Sequence, residues 1–169
     1  KSKRFVEAVG VGDCCQIDNH LREPISAQIR KGKRGSYPYY GPTGVLDYIE
    51  SYKVDGEYAL IGEDGDHFLK YETRDMTLLV RGRFNVNNHA HLVRGLGDCT
   101  TEWFFNFFRR ANLYQFITRQ GAGRYKLNKA TLERLPILVP SLPEQGKITQ
   151  ILSTWDTAIV LVEQLIAAL

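Results

Sequence analysis

The sequence predicts a mixed α/β (α+β) globule over residues 1–139, followed over residues 140–169 by a long helix with a coiled-coil pattern. Three observations predict it. Short apolar segments rich in β-branched and aromatic residues, separated by glycine-containing turns, dominate residues 13–94. From Thr101 the apolar residues recur at helical spacing, and the final segment carries a heptad repeat.

Length and composition bound the class of protein. A chain of 169 residues with 43% hydrophobic and 24% charged residues is typical of one globular domain with an appendage. Its apolar runs are shorter than the ~20 residues of a membrane span, so no membrane partner is expected. Three cysteines, two of them adjacent, make no disulfide framework and favour a cytoplasmic location. The first residue, Lys1, and the apolar end predict a piece of a longer protein.

The first half of the chain is predicted to be mostly strands. Cys14–Ile17 is expected to be a short strand, residues 25–34 a basic loop, and residues 36–44 a tyrosine-rich turn region. Further strands are expected at residues 45–49, 58–61, 68–71 and 76–80 and, more loosely, at 84–93, with turns at Asp55-Gly56 and Asp64-Gly65.

The second half changes to a helical period. Residues 101–118 are expected to form a helix with Thr100 or Thr101 as its N-cap, and a glycine-rich loop follows over residues 120–124. Asn128 is placed to cap a short second helix, and residues 137–139, between two prolines, predict an edge strand.

The C-terminal segment has a helix start and an apolar seam. Ser141 and Glu144 have the spacing of a capping box. The seam steps by four and three residues through Ile148, Leu152, Trp155, Ile159, Val162 and Ile166. A helix of this length runs roughly 40 Å. Either it folds back on its own domain or it pairs with a partner helix, and a heptad seam favours the partner.

The charge distribution indicates a phosphate-binding surface more clearly than the net charge of +3 does. Arg30, Lys31, Lys33 and Arg34 place four cations within five residues. A second basic group comprises Arg109, Arg110, Arg119, Arg124, Lys126 and Lys129. Such runs are most often solvated faces, but the glycines and aromatic residues between them make phosphate contacts an equally supported interpretation.

Catalytic and metal sites are not expected. Cys14, Cys15, Cys99 and the His89-x-His91 pair are conceivable zinc ligands, but no CxxC pair is present. The Gly121-x-Gly123 loop follows a helix and is not a dinucleotide fingerprint. Asp64, Asp66 and His67 lie close in sequence, but a nuclease usually has a lysine among such acids, and the nearest one here is Lys70, on the expected strand of Phe68. No G-x-S-x-G nucleophile signature occurs. No cofactor is therefore expected.

The segment Tyr37-Pro38-Tyr39-Tyr40 follows the first basic group directly. Basic side chains position phosphates, whereas tyrosine hydroxyls and amides such as those of Asn87 or Gln120 can contact base edges. Tyrosines that are buried to pack a loop are the alternative interpretation, and the residues alone leave both open.

Five motifs occur in a fixed order along residues 37–148. They are Tyr37-Pro38-Tyr39-Tyr40-Gly41-Pro42-Thr43-Gly44-Val45-Leu46-Asp47-Tyr48, Gly56-Glu57-Tyr58-Ala59-Leu60-Ile61-Gly62-Glu63-Asp64-Gly65, Asn87-Asn88-His89-Ala90-His91-Leu92, Gly121-x-Gly123-Arg124-x-Lys126-Leu127-Asn128 and Pro140-Ser141-Leu142-Pro143-Glu144-Gln145-x-x-Ile148. Each is weak alone. Together they resemble the specificity subunit of type I restriction-modification enzymes.

This resemblance implies a DNA target-recognition domain over residues 1–139 and a helix over residues 140–169 that pairs, antiparallel, as a coiled-coil spacer. It implies a non-catalytic protein that binds double-stranded DNA and docks methyltransferase subunits, with a motor-nuclease subunit joining the complex. A complete subunit of that family carries two recognition domains and two helices. This chain has one of each, so we expect either a fragment or a half-subunit that pairs with itself. Gly146 also departs from the charged helix former usual at that position.

The expected DNA contacts fall into two sets. The phosphate set is Lys31, Lys33, Arg34, Arg124 and Lys126, and the set for base contact or loop support is Tyr39, Tyr40, Thr43, Asn87, His89 and Gln120. Further base contacts are expected in loops around residues 20–36 and 72–86. Two alternatives remain open: the recognition domain of a fused type II methyltransferase-nuclease, and a coiled-coil interaction module without a DNA role.

Overall fold

The computed structural model describes residues 7–120 and 124–169. Within these two ranges the chain forms ten strands, five α-helices and two short 3-10 helices at Asn19–Leu21 and Asp66–Lys70. The strands are β1 (Ala8–Gly10), β2 (Cys15–Ile17), β3 (Arg34–Gly41), β4 (Gly44–Ile49), β5 (Val54–Gly62), β6 (Thr77–Val86), β7 (Ala90–Gly95), β8 (Thr118–Gln120), β9 (Arg124–Lys126) and β10 (Pro136–Leu138). The helices are α1 (Val11–Cys14), α2 (Ala27–Lys31), α3 (Thr101–Phe108), α4 (Lys129–Arg134) and α5 (Leu142–Ala167).

Six strands form the main sheet, in the order β2-β7-β5-β6-β3-β4. Adjacent strands in this sheet are antiparallel, except that β3 and β6 are parallel, with Tyr39 opposite Asn85 and Tyr40 opposite Val86. The strands β1 and β10 pair separately, as do β8 and β9. The expected edge strand before the long helix is confirmed as β10.

The central strand β5 has apolar cores on both faces, because successive strand residues point to opposite sides. Ala59 and Ile61 contribute to one core together with the aromatic face of α3, whereas Tyr58 and Leu60 contribute to the other. The mixed α/β globule predicted from the sequence is confirmed.

The basic segment and the tyrosine segment differ from the prediction. Residues 27–31 form α2 instead of a loop, because the Ser26 hydroxyl accepts the Ile29 N–H at 3.3 Å and caps five good helix formers. The expected turn at residues 36–44 is mostly β3, and only Pro42 and Thr43 connect it to β4. Strand β3 tolerates Pro38 because the pairing register between β3 and β4 shifts both before and after this proline.

Four other boundaries were predicted wrongly. Residues 66–70 form a 3-10 helix that buries the adjacent His67 and Phe68, which a half-buried strand cannot do. Gly56 lies inside β5 instead of in a turn. Residues 76–80 and 84–93 were expected to be two strands, but residues 77–86 form the single strand β6, and β7 begins only at Ala90. Helix α3 ends at Phe108 instead of residue 118. Directly after Phe108, the Arg109 carbonyl accepts the Met76 N–H at 2.8 Å.

The predicted helix caps are confirmed. The Thr100 hydroxyl accepts the Trp103 N–H at 3.0 Å, and Asn128 Oδ1 accepts the Thr131 N–H at 2.9 Å. At the start of α5 the Glu144 carboxylate accepts the Ser141 N–H at 3.0 Å, which is the return bond of a capping box.

Helix α5 contacts the domain through polar residues between Gln145 and Asp156. Gln145 and Thr149 are buried, and Asp156 accepts a hydrogen bond from Arg109 at 2.6 Å. The apolar seam faces solvent, so the helix does not fold its apolar face onto its own domain.

Among residues 7–120 and 124–169, no helix combines the length and apolarity needed to cross a membrane.

Candidate nucleic-acid interface

The expected DNA contacts separate into two places along β3. Lys31, Lys33 and Arg34 lie at its start, whereas Tyr40, Thr43, Asn87, His89 and Lys126 lie around its far end. An eight-residue strand spans roughly 20 to 25 Å, so the two groups are that far apart. We call them the hairpin base and the sheet end.

The hairpin base presents three exposed cations. Lys31 closes α2, Gly32 ends that helix, and Lys33 and Arg34 lead into β3. The side chains of Lys31, Lys33 and Arg34 are exposed, and across the described ranges no ion pair joins any of them to a carboxylate. They are therefore available to an anionic partner.

An aromatic and basic cluster beside these cations was missed by sequence reasoning. The rings of Tyr37 and Tyr52 lie 4.9 Å apart, and the Arg83 guanidinium stacks 4.8 Å from the Tyr52 ring centre. Tyr52 is 39% exposed. Arg83 lies on strand β6, within the range 72–86 expected to carry contacts, although that range is mostly strand instead of loop. The alternation of Arg81 and Arg83 along β6 was the available signal.

Two members of the expected region support the fold. The Tyr39 side chain is fully buried, where its hydroxyl donates to the Glu23 carbonyl at 2.8 Å and accepts the Ile25 N–H at 2.9 Å. Arg30 stacks 4.8 Å from the Tyr39 ring and pairs with Asp47 at 3.2 Å. Of the two roles expected for Tyr39, this geometry favours loop support.

The sheet end is organised around Glu63, which follows β5. Its carboxylate accepts a hydrogen bond from Arg22 and lies 3.3 Å from Lys126 Nζ. Burial acts to raise the pKa of Glu63, but Arg22, His91 and Lys126 outweigh it, so the pKa is lowered. Lys126 thus neutralises a carboxylate and is less available to phosphate than expected.

Histidines at the sheet end are bound to protein groups. His89 Nδ1 lies 2.9 Å from an Asp64 oxygen, and the His89 N–H donates to Asn87 Oδ1 at 2.9 Å. His91 is fully buried and donates to the Leu127 carbonyl at 2.7 Å, and burial lowers its pKa. Asn87 is also buried. These contacts position the turn between β6 and β7.

The remaining expected residues have varied settings. Thr43 is exposed at the hairpin tip, while Tyr40 is half-buried with its ring edge-on to Phe84 at 5.8 Å, and burial raises its pKa. The backbones of Gln120 and Arg124 pair across β8 and β9, but their side chains, like the loop 121–123, lie outside the described residues.

The residues considered as metal ligands also separate. The histidines lie at the sheet end, whereas Cys14, Cys15 and Cys99 cluster together. Hydrogen bonds from Cys15 and Cys99 lower the pKa of the Cys14 thiol to about 4, and the interaction with Cys14 raises the pKa of Cys15 and Cys99.

The predicted seam of α5 is exposed along its length. The exposed fractions are Ile148 39%, Leu152 39%, Trp155 66%, Ile159 53%, Val162 53% and Ile166 65%. A contiguous apolar stripe on an elongated helix is the surface expected of a helix-pairing interface.

Comparison with known proteins gives a consistent result. The family model described as type I restriction modification DNA specificity domain matches residues 5–169. A putative type I restriction enzyme specificity subunit of Haemophilus influenzae is 33% identical over 147 residues, covering 87% of this chain and 36% of the relative. The type I restriction enzyme EcoprrI specificity subunit of Escherichia coli is 28% identical over 128 residues, covering 76% of this chain and 30% of the relative. The chain spans about a third of the length of these curated relatives.

Solved structures share the fold. The S subunit of a type I restriction-modification system from M. genitalium superposes with a TM-score of 0.70 at 11% identity, over 98% of this chain and 43% of that one. The HsdS subunit of Thermoanaerobacter tengcongensis superposes with a TM-score of 0.62 at 12% identity, over 97% of this chain and 41% of that one. With the family model matching nearly the whole sequence, the chain belongs to the family of type I restriction modification DNA specificity domains.

Proposed function

We propose that this chain recognises one part of a double-stranded DNA target as a component of a type I specificity subunit. The observation that carries the proposal is the hairpin base, where exposed, unpaired Lys31, Lys33 and Arg34 lie beside the stacked side chains of Tyr37, Tyr52 and Arg83. Membership of the specificity-domain family supports the same function.

The hairpin base and the sheet end have different roles in this proposal. Cations at the hairpin base contact phosphates and set the orientation of the duplex, which carries no sequence information by itself. Arg83, which pairs with the exposed Asp55 at 3.1 Å, and the tyrosines beside it supply groups that can reach base edges. The sheet end, where Glu63 and Asp64 are already paired, holds the connecting turns in place. Thr43 is the exposed residue of the sheet end that contacts DNA in this proposal, and Gln120 and Arg124 remain expected DNA contacts.

Helix α5 is the assembly element in this proposal. Its exposed seam pairs with the helix of a second recognition half, or of a second copy of this chain, and methyltransferase subunits dock on the pair. A motor-nuclease subunit joins the resulting complex. Methyl transfer and DNA cleavage are carried out by those partner subunits, and the present chain supplies target recognition without catalysis. Residues 1–139 and 140–169 thus act as recognition domain and spacer.

Selection from a randomised duplex pool tests the recognition role. The intact chain, mixed with its methyltransferase subunits, is expected to enrich one sequence class. The double variant Lys33→Ala/Arg34→Ala should weaken binding to all sequences alike and lower the salt dependence of log K by about two, one for each lost phosphate contact. Arg83→Ala should instead relax the preference at specific positions.

A matched control is Lys129→Ala, which removes an exposed cation on α4 that pairs with Glu133. This variant should keep both the affinity and the salt dependence of the wild type. Failure of the complex to enrich any sequence would contradict DNA recognition. Equal effects of the hairpin-base and Lys129 substitutions would contradict the placement of the interface.

A further inference from the structure

All three cysteines of the chain meet at one point of the fold. Cys14 ends α1, Cys15 begins β2, and Cys99 lies in the turn before α3. The Sγ atoms of Cys14 and Cys15 are 3.9 Å apart, those of Cys15 and Cys99 are 3.8 Å apart, and all three lie within 4.8 Å of one another. Cys15 and Cys99 are 84 residues apart in sequence, so the tertiary fold assembles the cluster.

These separations have the dimensions of a three-thiolate metal site. A point equidistant from three sulfurs so spaced lies about 2.3 to 2.5 Å from each, which matches the ~2.3 Å length of a zinc–thiolate bond. An ion therefore fits near the plane of the three sulfurs without a rearrangement of the backbone. A disulfide would instead require two sulfurs to approach to ~2.05 Å.

The surroundings favour a soft ion. Cys15 and Cys99 are 4% and 3% exposed, whereas Cys14 is half-buried and gives access from solvent. Within the described part of the chain, no histidine or carboxylate joins the three sulfurs. An all-sulfur ligand set selects ions such as Cu⁺ and Zn²⁺ over the hard cations Mg²⁺ and Ca²⁺.

We infer that Cys14, Cys15 and Cys99 form an all-thiolate site for one thiophilic d¹⁰ metal ion, Zn²⁺ or Cu⁺. Binding releases to solvent the protons of those thiols that are still protonated, and leaves the side of the ion near Cys14 open to an additional ligand. The ion links the α1–β2 junction to the turn that precedes α3. Gln145 of α5 bonds to that same turn, at the Thr100 N–H and the Asp98 carbonyl, so the ion reinforces the place where the long helix leaves the domain.

The test uses the intact chain, purified with reductant and freed of metal by a chelator. One arm titrates Co²⁺, as a spectroscopic substitute for Zn²⁺, and a second arm titrates Cu⁺. Because the chain has three cysteines, all in this cluster, a thiolate-to-metal charge-transfer band reports this site alone. We expect that band in at least one arm, one ion per chain by native mass spectrometry, and a higher Tm with metal.

The decisive variant is Cys14→Ser, because Cys14 is half-buried and its loss leaves the packing of Cys15 and Cys99 intact. We expect the variant to fold and to bind the ion at least about tenfold more weakly, since a hydroxyl is a poor ligand for a soft ion. His89→Ala removes another metal-binding side chain and should leave binding unchanged. A reduced chain that gives the band with neither ion would overturn the proposal, as would a Cys14→Ser variant that binds as tightly as the wild type.

Discussion

At the scale of single residues, Gln145 has the most consequential contacts of α5. Its side chain is fully buried, its Oε1 accepts the Thr100 N–H at 3.0 Å, and its Nε2 donates to the carbonyls of Asp98 at 2.5 Å and Pro140 at 2.8 Å. All three of these partner groups belong to the junction between domain and helix. One amide thus fixes where the helix starts.

Replacing this amide is expected to destabilise the protein. Gln145→Ala leaves a buried N–H and two carbonyls without their partner, so we expect a loss of about 2–4 kcal/mol in the free energy of unfolding. Gln150→Ala, an exposed glutamine on the same helix, should change it by less than about 0.5 kcal/mol. Urea denaturation measures both, and equal losses in the two variants would contradict the role of Gln145.

A second residue-scale feature is the buried His67. It stacks on Phe68 with ring centres 4.2 Å apart, and its Nε2 has no hydrogen-bond partner in the described ranges. A side chain at Gly62 would come within 2.3 Å of that atom, so glycine is needed there. Burial, and then the charge of Arg74, lower the pKa of His67 from 6.5 to about 4.

This pKa predicts a pH-dependent stability. Between pH 6.5 and about 4 the unfolded chain binds a proton at His67 that the folded chain does not, so stability falls as pH falls through that window. Across this window, the lowered pKa of His67 reduces the free energy of unfolding by roughly 3 kcal/mol. His67→Phe should remove this part of the slope, whereas His20→Gln, at a side chain that is 71% exposed, should keep it. Identical pH profiles of unfolding free energy in the wild type and His67→Phe would refute the assignment.

At the scale of elements, α5 presents two distinct faces. The face toward the domain is polar, with Thr149 buried and Asp156 bound to Arg109, which also pairs with Asp75 at 2.8 Å. The apolar seam lies on an adjoining face, with Trp155 66% exposed. The helix is therefore oriented by polar contacts, and its apolar surface stays exposed.

Charges placed in the seam should block pairing without unfolding the domain. Trp155→Glu/Ile159→Glu would bury unpaired carboxylates at the helix interface, which costs several kcal/mol, but both sites are exposed in the single chain. We expect a wild-type dimer and a monomeric variant in sedimentation equilibrium, with the same thermal unfolding of the domain. Thr157→Glu/Gln164→Glu adds the same charge on the opposite side of the helix and should still pair. A wild-type chain that stays monomeric at high concentration would exclude self-pairing.

At the scale of the whole molecule, the structure joins the mixed α/β domain, which we propose to recognise DNA, to a helix of 26 residues, about 39 Å long. Polar contacts of Gln145 and Asp156, eleven residues apart, set the direction in which the helix leaves the domain. In the paired assembly that we propose, the length of α5 sets the distance between two recognition domains, and so between two half-sites on DNA.

Lengthening the helix should change that distance. One heptad inserted after Val162 in both paired helices adds about 10.5 Å, which is about three base pairs, and keeps the seam in register. Mapping methylated adenines in a host with the intact system should show half-sites about three base pairs further apart. A three-residue insertion breaks the heptad register and should abolish modification. Unchanged spacing after the heptad insertion would disprove the role of α5 as a spacer.

The features that sequence reasoning predicted correctly depend on near neighbours. Ser141 with Glu144, Asn128 with Thr131, and Thr100 with Trp103 each form a cap within three residues, so their bonds follow from local geometry. The capped α2 was missed although Ser26 carried the same kind of signal.

The sequence by itself determined the mixed α/β class, the helix caps, the apolar seam of α5 and the family resemblance, since these depend on residue order along the chain. The tertiary structure alone decided that Tyr39 is buried, that Arg83 stacks on Tyr52, and that Cys99 meets Cys15. Each of these requires strands or turns distant in sequence to pack together. No local propensity encodes such contacts, because they exist only once the sheet has packed between its two cores.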